Sequence, residues 1–251
     1  MKHGEPRRWG LASMSLYSTL SGFYDRVFPF QESTYRFLAS HVKADPQNVI
    51  DIGCGPGHYV GRFAHDGYAA YGIDVDEEMI DLARLVHPHA TFYRKDMREL
   101  STLPERFHLM FCIGNGLSHL PVSELGRFLQ SVGDRLVRGG TWIVQTVNWD
   151  RILEHETFTF PPKVLSKHNL CLYREYRQIS RKRVLFVLTL EQGGTTLFTE
   201  ELWLYPIPAD DLMDLHEDVG FEVESHFGDY ARTPFDPHES EASVIVLRRP
   251  E

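Results

Sequence analysis

A glycine-rich turn carries the strongest chemical signal in the sequence. Residues 49–58 read VIDIGCGPGH and contain three closely spaced glycines, Gly53, Gly55 and Gly57. Glycine permits positive φ angles and lets the backbone approach a ligand closely. Asp51 lies just before the turn, and Asp74 ends the next apolar run. Since an acid about 20 residues after such a turn can accept hydrogen bonds from two ribose hydroxyls, the pattern predicts a ligand that contains a nucleoside.

Two kinds of ligand compete for this turn. A dinucleotide fingerprint, G-x-G-x-x-G, would place its third glycine at position 58, where the sequence has His58. A carboxylate at Asp51 would repel a pyrophosphate, but it suits a ligand that carries an ammonium group, such as the methionyl part of S-adenosylmethionine. An NAD-dependent oxidoreductase is therefore disfavoured, and a glycine turn that binds nothing is the remaining structural alternative.

The elements around the turn alternate between strands and helices. The apolar periodicity predicts strands at 48–52, 69–73, 91–94, 107–113 and 141–147, with helices at 57–65, 76–86 and 122–136. Gly139-Gly140 is predicted to end the last of these helices. Such alternation indicates βαβ units and a parallel sheet with both faces covered.

After residue 150 the pattern changes to long strands at 169–180, 184–191 and 195–205, with a hairpin signal at Gly193-Gly194. A helix at 210–219 and strands at 221–227 and 242–248 close the chain. We expect one domain over 18–251, after a mobile extension at 1–17. It would consist of a core at 48–147, an antiparallel insertion or lid at about 157–206, and a closing unit at 208–249.

Five segments give the sequence a family resemblance: VIDIGCGPG (49–57), YGIDVDEEMIDLAR (71–84), YRKDMREL (93–100), FHLMFCIGNGLSHL (107–120) and LVRGGTWIV (136–144). They resemble the class I S-adenosylmethionine-dependent methyltransferases of the small-molecule type. The resemblance implies an α/β fold with a doubly wound, mostly parallel, seven-stranded Rossmann-like sheet and an antiparallel β insertion after strand 5. It also implies S-adenosylmethionine as cofactor and methyl transfer to N or O of a small-molecule acceptor.

The same resemblance implies cofactor contacts at matching positions. The loop of Gly53, Cys54, Gly55 and Gly57 would lie under the methionyl moiety, and Asp51 would help to hold its amino group. Asp74 would bind the ribose hydroxyls. The remaining implied contacts are Val75 and Met97 at the adenine, Asp96 at its amino group, Ile113, Gly114 and Asn115 beside the methyl donor, and Tyr24 near the cofactor. The alternatives are a surface role for Asp96 and a packing role for Met97 or Tyr24.

The acceptor side is less well defined by the sequence. His119, in the loop after strand 4, is the best candidate for a general base, with a structural histidine as the alternative. His58 is a weaker candidate. Trp149 would form a wall for the acceptor or pack beneath the insertion. Residues of the insertion that would line a pocket are Tyr173, Arg174, Tyr176, Arg177 and Trp203, and the two arginines would suit an anionic acceptor group.

Composition narrows the classes of partner. The 251 residues include 26 Lys and Arg against 35 Asp and Glu, a net charge of −9 that disfavours nucleic acid. No apolar run reaches the roughly 20 residues that span a membrane. The three cysteines lie far apart, so we expect a reducing cytoplasm and no metal site. Exposed antiparallel edges favour a homodimer. A cofactor-binding module without turnover is the alternative to an enzyme.

Overall fold

The computed structural model describes residues 23–42 and 47–251. The extension expected at residues 1–17 lies outside the described residues. The sequence within the described ranges folds around two sheets, of seven and five strands.

The seven-stranded sheet is mostly parallel and has the order β11-β12-β5-β4-β1-β2-β3. Its strands are β1 (Asn48–Ile52), β2 (Ala69–Asp74), β3 (Thr91–Arg94), β4 (Phe107–Cys112), β5 (Leu136–Val147), β11 (Glu222–Phe227) and β12 (Ala242–Arg248). β12 runs antiparallel to both β5 and β11. The chain order reverses at β1, which pairs with β2 on one side and β4 on the other. Loops diverge at such a reversal and leave a crevice at the carboxyl ends of the strands.

Helices cover both faces of this sheet. They are α1 (Tyr24–Val27), α2 (Glu32–Ala39), α3 (His58–His65), α4 (Glu77–Val86), α5 (Val122–Arg135), α6 (Trp149–Ile152) and α7 (Ala209–Asp218). The apolar sides of α2, α3 and α4 pack on one face, and those of α5 and α7 pack on the other. The doubly wound α/β fold class that we expected is therefore confirmed.

The prediction that Gly139-Gly140 ends a helix was wrong. Helix α5 ends at Arg135, and the two glycines lie within β5, which begins at Leu136. Gly139 has a φ of +68°. The Gly139 amide donates to the Arg249 carbonyl, and the Arg249 amide donates to Gly140. The glycines thus shape an irregular strand start that pairs with the carboxyl-terminal segment.

The five-stranded sheet is an antiparallel meander inserted after β5. Its long strands are β8 (Leu170–Arg177), β9 (Val184–Gln192) and β10 (Thr195–Leu204), and two short strands, β6 (Phe158–Thr159) and β7 (Lys163–Leu165), pair with β8. The inner face of the meander packs against Trp149 and against Val27 of α1. It therefore stands over the carboxyl edge of the parallel sheet.

Within residues 23–42 and 47–251, we find no helix with the length and apolar character that crossing a membrane requires.

Candidate functional site

The glycine turn is fixed to the neighbouring strand by backbone hydrogen bonds. Gly53, Gly55 and Gly57 have φ angles of +80°, +52° and +78°. The amides of Gly53 and Cys54 both donate to the Ile73 carbonyl, at 2.8 and 3.0 Å. Residues other than glycine rarely adopt these φ angles, so the glycines in the sequence and the observed backbone geometry agree.

Asp74 joins the end of β2 to the turn. Its Oδ2 accepts a hydrogen bond from the Gly55 amide at 2.9 Å, and its Oδ1 accepts one from the Asp76 amide at 2.9 Å. Each carboxylate oxygen can accept more than one hydrogen bond. Asp74 therefore holds the turn and still presents acceptors to the adjoining cavity that it lines.

Two cavities meet above the turn. The smaller, of about 190 Å³, is lined by Asp74, Val75, Asp96 and Met97 among others. The larger, of about 450 Å³, extends from the turn to the inner face of the meander. Five residues line both, namely Tyr24, Gly53, Ile113, Gly114 and His119. A ligand that occupies the smaller cavity can therefore present one end to an occupant of the larger.

Asp96 has a structural task in addition to its place on the cavity wall. It caps the 3₁₀ helix Met97–Thr102 and accepts two hydrogen bonds from the Arg98 guanidinium, at 2.9 and 2.5 Å. Burial tends to raise the pKa of the Asp96 carboxyl, but the bonds from Arg98 outweigh it and lower the pKa. Asp96 is consequently held ionised as an acceptor at the edge of the smaller cavity.

Asp51 is a buried acid, and one of its carboxyl oxygens, Oδ1, lacks a hydrogen-bond partner among the described residues. The residue is 3% exposed and lines the larger cavity. Burial, and then repulsion by Asp74, raises the pKa of its carboxyl well above the ordinary value. Because an unpaired buried carboxylate is costly, this position favours a ligand that brings a cation or a donor.

The loop after β4 is anchored to β5 and, through the Tyr205 amide that donates to the Ser118 carbonyl at 2.8 Å, to the end of the meander. Gly114 donates to Gln145 Oε1 at 2.7 Å. Asn115 Oδ1 accepts from Ser118 Oγ at 2.8 Å and from the Val147 amide at 3.1 Å. These bonds hold the loop in place where the two cavities meet.

His119 ends the short 3₁₀ helix Gly116–His119 in this loop. Burial lowers the pKa of its imidazole to about 4. The ring is therefore neutral at pH 7 and lies where the two cavities meet.

Two glycines of the turn differ in what surrounds them. Gly53 lines both cavities, and a Cβ atom placed on it would meet no atom of a non-adjacent described residue within 4 Å. Gly57 lines neither cavity. A Cβ there would lie 2.6 Å from the Phe92 ring and 3.1 Å from the Ala83 Cβ atom. Gly53 thus leaves space for a ligand, whereas Gly57 supports the turn from behind.

Of the residues that the structure describes, eight Phe and Tyr side chains line the larger cavity. They are Tyr24, Phe28, Phe30, Tyr59, Phe160, Tyr176, Phe186 and Tyr230. Gln145, His58, Lys163 and Arg174 add polar groups to this wall. The sequence analysis missed Gln145, Tyr230, Tyr59 and Lys163. Gln145, a polar residue within the apolar run of β5, was the one signal that could have been used.

Four residues expected to line the acceptor pocket lie elsewhere, namely Trp149, Tyr173, Trp203 and Arg177. Trp149 is 1% exposed, stacks on Tyr176 with ring centroids 5.3 Å apart, and donates to Ser118 Oγ at 3.0 Å. It packs beneath the meander, which was the alternative interpretation. Tyr173 and Trp203 are absent from the lining of both cavities. Tyr173 is 39% exposed, and the Arg183 guanidinium lies 3.9 Å from the Trp203 ring.

Strand alternation explains the corrections within the meander. Successive side chains of a strand point to opposite faces of the sheet. Arg174 and Tyr176 of β8 line the cavity, so Tyr173, Glu175 and Arg177 point away from it. Arg177 instead pairs with Glu175 at 2.6 Å on the outer face.

Part of the chain matches a known family and known relatives in sequence. Residues 49–140 match a family described as a methyltransferase domain. The chain is 26% identical over 102 residues to the dTDP-3-amino-3,4,6-trideoxy-alpha-D-glucopyranose N,N-dimethyltransferase of Streptomyces venezuelae. That alignment covers 40% of this chain and 43% of the relative, so the match spans less than half of the relative's own length.

Solved structures extend the likeness over the whole fold. An S-adenosylmethionine-dependent methyltransferase from Clostridium acetobutylicum superposes with a TM-score of 0.76 at 15% identity, covering 94% of this chain and 100% of the other. The CcbJ methyltransferase from Streptomyces caelestis gives 0.75 at 20% identity, covering 86% and 94%. Residues 49–140 thus match a methyltransferase domain, and the chain shares its overall fold with these two solved methyltransferases.

Proposed function

We propose that the chain transfers a methyl group from S-adenosylmethionine to a nitrogen or oxygen atom of a small-molecule acceptor. The observation that carries the proposal is the buried, unpartnered Oδ1 of Asp51 beside the open face of Gly53. A carboxylate in this position suits an ammonium group. The adjoining cavity, with Asp74 on its wall, suits the nucleoside of the same ligand.

The residues of the two cavities fit this cofactor in order. Asp51 and the Gly53–Gly55 turn would hold the methionyl part, Asp74 would hold the ribose hydroxyls, and Val75, Asp96 and Met97 would hold the adenine. Tyr24, Ile113, Gly114 and Asn115 would border the donor end. When bound, S-adenosylmethionine supplies a methyl group already activated by its sulfonium centre.

The protein itself would contribute mainly by positioning the two reactants and by excluding water from the point where they meet. A group held at the meeting point of the two cavities faces an occupant of the larger one, and correct orientation can supply several kcal/mol of a reaction barrier. Aromatic walls shield that point from water. His119, as a neutral imidazole with a pKa of about 4, is a weak base, but at the same point it can accept a hydrogen bond from an N–H or O–H of the acceptor and so orient it.

Calorimetry and a transfer assay test the proposal. The chain should bind S-adenosylmethionine and not NADH, and it should transfer labelled methyl to a member of a metabolite panel. Amino sugars belong in that panel because the Streptomyces venezuelae relative is named for one. Absence of S-adenosylmethionine binding would remove the basis of the proposal. Tight binding with persistent absence of transfer would favour a cofactor-binding module.

The setting of the enzyme is part of the proposal. The three cysteines are free thiols, which suits a reducing cytoplasm. The net charge of −9 favours small molecules over nucleic acid as acceptors. β10 lies at the edge of the five-stranded sheet, and an edge strand can pair with a second copy in a homodimer.

Replacement of Asp74 by alanine should weaken binding of S-adenosylhomocysteine at least about tenfold, because two hydroxyl contacts are lost. The matched variant Asp74→Asn keeps one acceptor oxygen and should lose less. 5′-Methylthioadenosine contains the same ribose, so Asp74→Ala should weaken its binding to a similar extent in the same titration. An unchanged affinity for both ligands would show that Asp74 does not contact the ribose.

The low pKa of His119 predicts an unusual pH profile. A histidine with a pKa of about 4 stays neutral at higher pH. The value of kcat/KM should therefore show no limb near pH 6.5 that belongs to His119, and His119→Asn should lower kcat at least about tenfold at all pH values from about 6 to 8. A limb near pH 6.5 in the wild type that disappears in His119→Asn would contradict this assignment.

A further inference from the structure

Two cations on the meander line the larger cavity without an acidic partner. Lys163 and Arg174 both belong to its wall. Among the described residues, neither forms an ion pair within 4.0 Å. Arg177 of β8, by contrast, is paired with Glu175 on the outer face. Lys163 and Arg174 therefore stand out as cations left available to a ligand.

The strand register places the two cations side by side. Lys163 of β7 pairs with Leu172 of β8, and Arg174 follows two residues later on the same face. Diagonal neighbours of this kind lie within reach of long side chains. Phe160 donates its amide to the Arg174 carbonyl at 3.0 Å, which fixes the approach of the short strand β6.

Aromatic rings hold the two cations in place. The Arg174 guanidinium lies 4.9 Å from the Phe160 ring, and Lys163 Nζ lies 5.5 Å from the Phe28 ring. Arg174 Nε is buried and has no hydrogen-bond partner in the described part of the chain. Cations stacked on rings keep their remaining donors for a third group.

The acids of the neighbourhood do not neutralise this pair. Asp51 is the acid that lines the same cavity in the described ranges, and its raised pKa has burial and Asp74 as its causes, with no cation among them. Burial lowers the pKa of the Arg174 guanidinium, and the opposite effects of Tyr176 and Glu241 do not offset it. Burial and the charge of Arg174 together lower the pKa of Lys163. Two like charges held together in a cavity favour an anion between them.

We propose that Lys163 and Arg174 form an anion-binding subsite, and that the methyl acceptor carries a carboxylate or a phosphate ester which this subsite holds. This inference rests on the proposed methyltransferase function and names the class of its acceptor. The cavity then has two oppositely charged regions. Asp51 serves the ammonium of the cofactor, and the Lys163–Arg174 subsite orients the acceptor so that its nucleophilic atom faces Gly114 and His119.

Titration with aromatic anions tests the subsite without knowledge of the natural acceptor. Benzoate, phenyl phosphate and the neutral benzamide have the same ring and differ in charge. Each is titrated into the chain alone and into the chain saturated with S-adenosylhomocysteine. Benzoate or phenyl phosphate should bind at least about tenfold more tightly than benzamide. The two anions together show whether the subsite accepts a carboxylate, a phosphate ester or both.

Three variants locate the binding. Lys163→Met and Arg174→Met keep the aliphatic stems and should each weaken anion binding at least about tenfold, with benzamide binding unchanged. Arg177→Met is the matched control, since Arg177 lies on the same strand but on the outer face, and its anion affinity should stay within about twofold. Circular dichroism confirms that each variant is folded. If Arg174→Met fails to fold, Lys163→Met and Arg174→Lys are used instead to test whether the two cations bind the anion.

The outcomes separate the subsite from the proposed function. Equal affinities for anions and benzamide, or anion binding that survives both methionine variants, would overturn the subsite. Failure of S-adenosylhomocysteine to bind would overturn the proposed function instead, and the titration of the chain alone would still decide the subsite.

Discussion

Gly57→Ala is expected to destabilise the chain by about 2–5 kcal/mol. The residue has a φ of +78°, and alanine in that region costs about 1–2 kcal/mol. The added Cβ atom would lie 2.6 Å from the Phe92 ring, which is buried and cannot move freely. Overpacking of this kind costs about 1–3 kcal/mol more. Urea denaturation of the wild type and the variant measures the difference.

Gly53→Ala is the matched control. Its φ of +80° imposes a similar strain, but within the described part of the chain the new Cβ atom meets no atom of a non-adjacent residue within 4 Å. The free energy of unfolding should therefore fall by about 1–2 kcal/mol and no more. Gly53 lines both cavities, so the added methyl group would occupy space that the ligand needs. The variant should therefore bind S-adenosylhomocysteine at least about tenfold more weakly. An equal loss of stability in both variants would contradict this account.

The contrast between these glycines shows what a local motif can predict. Positive φ angles at Gly53, Gly55 and Gly57 follow from residue type and spacing, and the sequence analysis anticipated a tight turn there. Which glycine faces a ligand and which faces Phe92 depends on packing from β3 and α4. That packing has a sequence separation of more than 25 residues and leaves no trace in the motif.

The meander shows a different limit. Its three long strands were predicted from composition, yet residues from both faces of β8 were assigned to one pocket. The alternation of side chains along a strand excludes that assignment, because Tyr173 and Arg174 point in opposite directions. The alternation rule alone divides the β8 residues into two faces, but it does not say which face meets the cavity.

Lys163 could not have been identified from the sequence alone. It follows Pro161-Pro162 in a segment without strand periodicity, and β7 is three residues long. Its place beside Arg174 is set by pairing with β8, and its place in the cavity is set by the way the meander stands over the parallel sheet. Both are tertiary facts that local propensity does not encode.

Asp51→Asn should weaken S-adenosylhomocysteine binding about a hundredfold while it stabilises the free protein. A buried hydrogen bond between charged groups is worth about 1.5–3 kcal/mol, and the variant keeps the shape of the side chain but loses its charge. 5′-Methylthioadenosine lacks the amino-acid part and its ammonium group, so Asp51→Asn should change its affinity less than about twofold. A similar loss for both ligands would show that Asp51 supports the turn and does not contact the ammonium.

The stability of the free protein gives an independent measure of the same carboxyl. Burial and Asp74 raise the pKa of Asp51 in the folded state, whereas the unfolded chain releases this proton near pH 4. Above that pH the folded state binds the proton more strongly, so rising pH costs stability until the folded carboxyl also ionises. The asparagine side chain does not ionise, so Asp51→Asn does not lose stability in this way as the pH rises. Its free energy of unfolding at pH 7 should exceed that of the wild type by about 1–3 kcal/mol, and the gap should shrink as the pH falls toward 4. A gap that grows on acidification, in urea denaturation at both pH values, would show that Asp51 is ionised and satisfied in the folded chain.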